Sequence, residues 1–545
     1  MYFLRTALIF GLLFVFAEAG QLVHAETLQD LTQALSVKNY TQKAAVVEKI
    51  AATGHGQATV ILSALMDGAL FTRKSDGKIV VGTKTKKSYL LVDPVDGTEL
   101  GEAQKSALKK VRINNKVRIA IRAGIGQLEL TSADPEKRIS AAAAIFKSEA
   151  PAMLPVLRAL VKNEENADVK PALIRSVAAL ELLYGDNHDV QMSAVADLKA
   201  AGGPEVKALL NKVLINLQRN ETTRNSELEA AIRSAIAAIE TQLETYGLIE
   251  NLFQGVSLAS VLLLAAIGLA VTFGVMGVIN MAHGEMVMIG AYTTYIIQET
   301  CRIYAPGFLD FSLIVAIPLA FIVAGTFGIL LERSVIRFLY GRPLETLLAT
   351  WGISLILQQL VRTIFGPTNK EVSTPEWLSG AWEVTAGLSF TYNRIAIILF
   401  ALVVLFFLMM VLKKTLFGLQ MRAVTQNRMM AGSMGIRSAR VDAMTFGLGS
   451  GVAGMAGVAL SQIDNVSPNL GQAYIIDSFM VVVFGGVGNL WGTLVGAGSL
   501  GIANKFLEPY SGAVLAKIFV LVAIILFIQK RPRGLFALKG RSVEG

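Results

Sequence analysis

Gly274-Val275-Met276-Gly277-Val278-Ile279-Asn280-Met281-Ala282-His283-Gly284-Glu285 is the stretch on which the fold turns. It follows the apolar run 252–277 and precedes a second run at 286–298, so two long apolar segments meet at a polar, glycine-rich break. A helix broken at membrane depth persists only where protein or a water-filled cavity satisfies its freed backbone groups. A second turn of the same kind, Gly485-Gly486-Val487-Gly488-Asn489-Leu490-Trp491-Gly492, lies late in the chain between short apolar legs. Two such interruptions, one in each half of a transport domain, point to a solute path. Glycines also permit close helix packing with no path at all. For a single glycine both readings stand; the two polar turns together favour a path. Its candidate residues are Asn280, His283, Gly284 and Glu285 in the first turn and Gly485, Gly486, Gly488 and Asn489 in the second. His283 and Glu285 are the ionisable groups of the first turn, and such residues inside a membrane point to function. Either one capping the next helix is the structural alternative, since a carboxylate favours a helix N-terminus.

Working outward, 53% of the 545 residues are hydrophobic and 17% charged, but unevenly so. Residues 26–245 carry frequent charges, whereas 252–530 hold long apolar runs, which predicts two domains in different solvents. The net charge of +9 does not indicate nucleic acid, because the basic residues of the second half cluster at the ends of apolar segments. Those segments lie near 252–277, 286–298, 311–331, 344–362, 393–412, 440–462, 476–487, 492–506 and 513–529. Basic clusters around Arg333, Arg337 and Arg342, around Lys413, Lys414, Arg422, Arg428, Arg437 and Arg440, and in the tail from Lys530 to Arg541 mark the cytoplasmic side. The acidic loop 366–392 is placed outside. An exported N-terminus and an internal C-terminus require an odd number of crossings, about nine if 476–506 forms a two-legged hairpin. Lys517 is expected to snorkel from the outer end of the last segment. The single cysteine, Cys301, excludes a disulfide framework or a thiolate-rich metal site, and no metal ligand set is expected.

Residues 1–25 read as a signal peptide, with Arg5, the apolar run Leu8–Phe16 and small residues around Val23-His24-Ala25. Residues 26–245 then read as a periplasmic domain of stacked amphipathic helices. Starts are expected at Ser132-Ala133-Asp134-Pro135, at Asn166-Ala167-Asp168 and at Asn187-His188-Asp189. The recurring pattern resembles HEAT-type repeats, which offer a curved docking surface. A small β-hairpin, Ile79-Val80-Val81 with Tyr89-Leu90-Leu91-Val92 and the turn Asp96-Gly97, interrupts them. His55 and His188 are read as solvated or capping groups. The fold class is thus all-α: a polytopic bundle at 250–535 with a cytoplasmic tail at 536–545, preceded by the helical-repeat domain.

The string Ile279-Asn280-Met281-Ala282-His283-Gly284-Glu285, continuing to Gly290-Ala291-Tyr292, resembles the signature of the branched-chain amino-acid permease family of ABC importers. A second string, Gly418-Leu419-Gln420-Met421-Arg422-Ala423-Val424-Thr425-Gln426-Asn427 with Ala431 and Gly435-Ile436, resembles that family's coupling helix. The resemblance implies that Gly418, Arg422, Ala423, Asn427, Ala431, Gly435 and Ile436 dock an ATPase. It further implies an inner-membrane heterodimer with a paralogous permease, two cytoplasmic ATPase subunits, a periplasmic solute-binding protein and surrounding lipid. The helical domain ahead of the membrane half resembles the urea-importer branch of the family and implies urea as substrate.

The residues agree with a non-enzymatic subunit that leaves ATP to its partners. No Gly-x-x-x-x-Gly-Lys-Ser/Thr string occurs, no cofactor is expected, and no nucleophile–base set is visible. A branched-chain amino-acid or short-amide importer is the nearest alternative, and a passive urea channel is the alternative from another class.

Overall fold

The computed structural model describes residues 27–85, 88–185, 187–219 and 226–536. The expected signal segment 1–25 and the tail residues Lys539 and Arg541 lie outside the described residues. Internal contacts divide the chain into Met1–Gln242 and Leu243–Gly545.

The first unit opens with α1 (Leu28–Ala34), α2 (Tyr40–Ala52) and α3 (Gly56–Asp67). His55 is the cap of α3, its Nδ1 accepting from the Gln57 N–H at 3.2 Å. Next come β1 (Leu70–Arg73), β2 (Ile79–Lys84), β3 (Tyr89–Val92), β4 (Glu99–Ala103) and β5 (Leu108–Lys110) in one antiparallel sheet of order β4-β3-β2-β1-β5. The expected hairpin is therefore corrected to five strands. Its two strands do pair, Val81 opposite Val92, but Asp96-Gly97 turns β3 into β4 rather than β2 into β3. β1 and β5 are only four and three residues long, and β4 is polar, so none of them shows a clear period-two signal.

Helices α4 (Asn115–Glu129), α5 (Pro135–Ser148), α6 (Leu154–Asn163), α7 (Val169–Tyr184), α8 (His188–Ala201) and α9 (Pro204–Arg219) follow. Asp134 caps α5 through Glu136 N at 3.0 Å, with Pro135 at the first position, where a missing N–H costs nothing. Ahead of α7, Asn166 Oδ1 accepts from Asp168 N and Val169 N at 2.9 and 3.2 Å. Ile145, Leu157, Leu173 and Leu180 share a core formed by α4 to α7. Truncating one of them to Ala should cost about 2–5 kcal/mol.

α10 (Ser226–Met276) crosses the division between the units. The second unit continues with α11 (His283–Tyr304), α12 (Ser312–Ser334), α13 (Pro343–Phe365), the hairpin β6 (Ala381–Thr385) and β7 (Leu388–Thr391), and α14 (Tyr392–Lys414). Two short helices, α15 (Leu416–Gln426) and α16 (Arg428–Ser433), precede α17 (Ser438–Leu460), α18 (Leu470–Gly485) and α19 (Leu490–Lys530). Among the described residues, six helices are long and apolar enough to cross a membrane: α10, α12 with the turn before it, α13, α14, α17 and α19.

The nine expected segments redistribute over these helices for physical reasons. α11 is 22 residues long but carries His283, Glu285, Gln298, Glu299 and Arg302, and is buried over much of its length. α18 has only 16 residues. Segments 492–506 and 513–529 share α19, whose 41 residues break their helical geometry at Gly512. α17 is buried on almost every side and meets its neighbours through small residues. At Gly454 a Cβ would lie 2.6 Å from the Ala320 carbonyl oxygen of α12. In a membrane such close backbone approach replaces the hydrophobic drive that lipid cannot supply.

Candidate functional site

α10 ends at Met276, Gly277 takes φ +67°, and the chain runs without helix until His283 opens α11. Asn280 braces this turn, its Oδ1 accepting from Ala282 N at 3.0 Å. Met281 N donates to Thr350 Oγ1 of α13 at 3.1 Å. His283 Nε2 lies 2.9 Å from the Ala265 carbonyl of α10, which only an N–H can satisfy; a neutral ring then leaves Nδ1 as an acceptor. Glu285 Oε1 accepts from Ser354 Oγ at 2.8 Å and from Gln358 Nε2 at 2.7 Å, joining α11 to α13.

These bonds leave a set of groups unused. Asn280 Nδ2, His283 Nδ1, Glu285 Oε2 and Tyr292 OH are all buried and have no hydrogen-bond partner. Tyr292 lies two turns beyond Glu285 on α11, its ring centroid 4.8 Å from that of Phe365 at the end of α13. Buried polar atoms without partners are rare and call for a specific cause. Here a donor, two acceptors and a hydroxyl are held within thirteen residues, by groups that are each anchored through another atom or a ring.

The opposing face of α13 was missed by sequence reasoning. Thr346, Thr350, Ser354 and Gln358 recur every four residues and are all buried, while Leu348, Trp351, Leu355 and Ile356 point outward. A period-four row of hydroxyls and amides in an apolar segment was the available signal.

The second turn lies close by: a Cβ on Gly274 would fall 2.6 Å from Gly488 Cα. Its polar groups, however, are used inside the chain. Asn489 Oδ1 caps α19 by accepting from Trp491 N and Gly492 N at 3.0 and 3.3 Å. The C-terminal segment covers the turn, with Leu535 N donating to the Phe484 carbonyl at 2.9 Å and Phe536 N to that of Gly485 at 3.1 Å. Gly485 and Gly492 approach so closely that a Cβ on either would strike the other's carbonyl. Gly486 and Gly488 take φ +107° and +79°. Gly284 likewise serves a helix crossing, where a Cβ would meet the Gly471 carbonyl oxygen at 2.5 Å. Lys517 is corrected from a snorkelling residue to an ion pair, 3.1 Å from Asp477 of α18. The apolar run around Asp477 gave no indication of its partner.

The short helices α15 and α16, with the residues joining and following them, hold the remaining candidates. Arg422 Nη1 donates to the Leu412 carbonyl at the end of α14, and a Cβ on Gly418 would collide with that same carbonyl. Asn427 caps α16 through Met430 N at 2.9 Å. Ala431 is buried, Ala423 and Ile436 pack on the main core, and Gly435 takes φ +85° with open space around it. These residues shape and fasten the segment. Leu416, Leu419, Met429, Met430 and Met434 project from it into the open, Met429 being 85% exposed.

Residues 251–528 match the family model described as the branched-chain amino acid transport system permease component. The high-affinity branched-chain amino acid transport system permease protein LivH of Escherichia coli is 30% identical over 302 residues, covering 53% of this chain and 94% of that protein. Its counterpart BraD of Pseudomonas aeruginosa is 29% identical over 298 residues, covering 54% and 96%. The ribose import permease protein RbsC of Bacillus subtilis is 30% identical over 135 residues, covering 23% and 42%. No solved structure matches the chain.

Proposed function

Because the chain belongs to the family of branched-chain amino acid transport system permease components, we propose that it is the membrane subunit of an ATP-driven importer of urea. The observation that carries the ATP-driven part is the exposed apolar patch of Leu416, Leu419, Met429, Met430 and Met434. Apolar side chains on a basic segment between two spans have no packing role within the chain. Methionines adapt to a partner's contour and are common on such docking surfaces. One of two cytoplasmic ATPase subunits docks there, seated by a segment that Gly418, Arg422 and Asn427 hold in shape, and the other serves the paralogous permease.

The solute path runs along the first turn. The unpartnered atoms of Asn280, His283, Glu285 and Tyr292 offer donors and acceptors. Urea, neutral and built of two NH₂ groups on one carbonyl, can answer both kinds. The second glycine-rich turn forms the neighbouring wall rather than a set of solute contacts. A paralogous permease completes the path, α11, α18 and the halves of α19 bring the crossings to about nine, and residues 26–245 face the periplasm. There that domain docks the solute-binding protein, and a tethered surface raises the effective concentration of its partner.

Branched-chain amino acids are the second reading, favoured by what the relatives' names say they transport. ATP-dependent uptake of labelled urea and labelled leucine by the assembled importer, each challenged with an excess of the other, separates them. Urea uptake insensitive to leucine supports the first reading, and leucine uptake insensitive to urea replaces it.

A further inference from the structure

We propose that Arg428 is a positioning residue that carries movement of the ATPase-docking segment to the polar turn, by exchanging between two buried carboxylates, Asp442 and Glu332. The inference rests on the reading of 416–433 as the docking segment. In this structure Arg428 Nη2 pairs with Asp442 Oδ2 near the start of α17. Its guanidinium also lies over the Tyr340 ring, 4.3 Å from the centroid. The Arg428 side chain is 41% exposed and that of Asp442 only 1%, so the pair reaches from the surface into the bundle. Tyr340 in turn packs against the cluster of Val278, Ala282, Leu331, Ile336 and Phe446. Val278 and Ala282 belong to the non-helical turn that presents Asn280. Two contacts therefore connect α16 with the solute-path turn.

Glu332, near the end of α12, supplies the second seat. It is 1% exposed, and neither carboxylate oxygen has a hydrogen-bond partner. A Cβ on Gly328, one turn before Glu332, would collide with Ser450 Oγ and meet the Phe446 carbonyl oxygen at 3.2 Å, and Leu331 shares a cluster with Phe446 on which Tyr340 packs, so the end of α12 lies along the start of α17 that carries Asp442. Among the described residues neither Arg333 nor Arg337 hydrogen-bonds to Glu332. A buried carboxylate without a partner is costly to maintain, and that cost is relieved if another state of the protein brings a cation to it. A guanidinium suits the exchange: it stays charged, presents a fork of donors to either carboxylate, and can stack on an aromatic ring on the way. Coupling between distant sites needs such an element with two discrete arrangements.

The test uses the importer assembled with its ATPase and partner subunits in proteoliposomes, reading uptake per ATP hydrolysed. Glu332→Gln keeps the shape and removes a buried charge, so the subunit should accumulate normally. ATP hydrolysis should persist while uptake per ATP falls about tenfold, the scale of one charged hydrogen bond. Arg428→Lys, which keeps the charge and loses the stack, should fall less than Arg428→Ala. In an Arg428→Ala background, Glu332→Gln should add nothing further. Normal uptake per ATP in Glu332→Gln overturns the exchange, and so do independent, multiplying effects of the two substitutions. Met429→Glu separates this from the coupling reading. If Met429→Glu still binds the ATPase and transports, the docking segment itself is misassigned. If it loses the ATPase while Glu332→Gln stays fully coupled, only the exchange falls.

Discussion

The two glycine-rich turns look alike as sequence and differ as structure. Each has several glycines, one asparagine and apolar legs, and they touch through Gly274 and Gly488. At 485–492 the asparagine caps the following helix and the C-terminal segment covers the backbone, so both polar side-chain atoms of Asn489 have partners. At 274–285 the equivalent accounting leaves atoms of Asn280, His283 and Glu285 over. Glycine and asparagine thus mark a break in a membrane helix, whereas the hydrogen bonds left unmade mark the turn we propose for the solute path.

The largest effect is expected from disturbing the turn that serves packing. Gly485→Val places a side chain against the Gly492 carbonyl, backbone that cannot yield. Overpacking of this kind costs roughly 1–3 kcal/mol or more, so subunit levels in the membrane, read by immunoblot, should collapse. Normal accumulation would remove the close-packing role. Glu285→Gln at the other turn should do the opposite. The amide fits the same space beside Ser354 and Gln358, so the subunit accumulates while the uptake rate drops. Loss of a charged hydrogen bond corresponds to about 10- to 100-fold.

A smaller effect is expected at Gly435, which needs its φ of +85° but has nothing near its missing side chain. Gly435→Ala should cost about 1 kcal/mol locally and lower uptake per ATP only modestly, whereas Gly418→Ala, facing the Leu412 carbonyl, should uncouple. Equal effects would mean that both glycines serve one role.

The smallest effect lies in the first unit. The Asn166 N–H, and after it the Arg138 guanidinium, hold the Glu164 carboxyl below its ordinary value of 4.5. A carboxyl depressed in the folded state adds stability above its unfolded value, and loses it as pH falls through the folded one. Thermal unfolding of this domain should therefore show a slight extra loss below pH 4.5 that Glu164→Gln removes, leaving transport at neutral pH unchanged.

Much of this was legible in the chain. Asp134-Pro135 and Asn187-His188 announced their helices, because caps and prolines act locally. The apolar runs located the helices of the membrane half, and the two polar strings located the break before α11 and the short helices α15 and α16. What stayed hidden depends on contacts between distant residues. The stripe from Thr346 to Gln358 acquires meaning only when Glu285 reaches it, and Lys517 only when α18 brings Asp477 alongside. Short strands such as β5 exist because a neighbour pairs with them, a fact with no local signature. In the segment 416–436 the family-like residues fasten the chain internally, and the exposed methionines beside them form the surface we propose for docking.

The most direct test exchanges one atom in each turn. Asn280→Asp and Asn489→Asp both keep the oxygen that braces the local backbone and replace the side-chain N–H₂. ATP-dependent urea uptake per subunit should be measured over a range of external urea concentrations. Asn280→Asp, which removes the donor and sets a carboxyl in its place, should raise the half-saturating concentration at least 2- to 10-fold, roughly the value of one neutral hydrogen bond, and Asn489→Asp should leave it where it was. An unchanged Asn280→Asp, or a matching rise in Asn489→Asp, would contradict the proposed solute path.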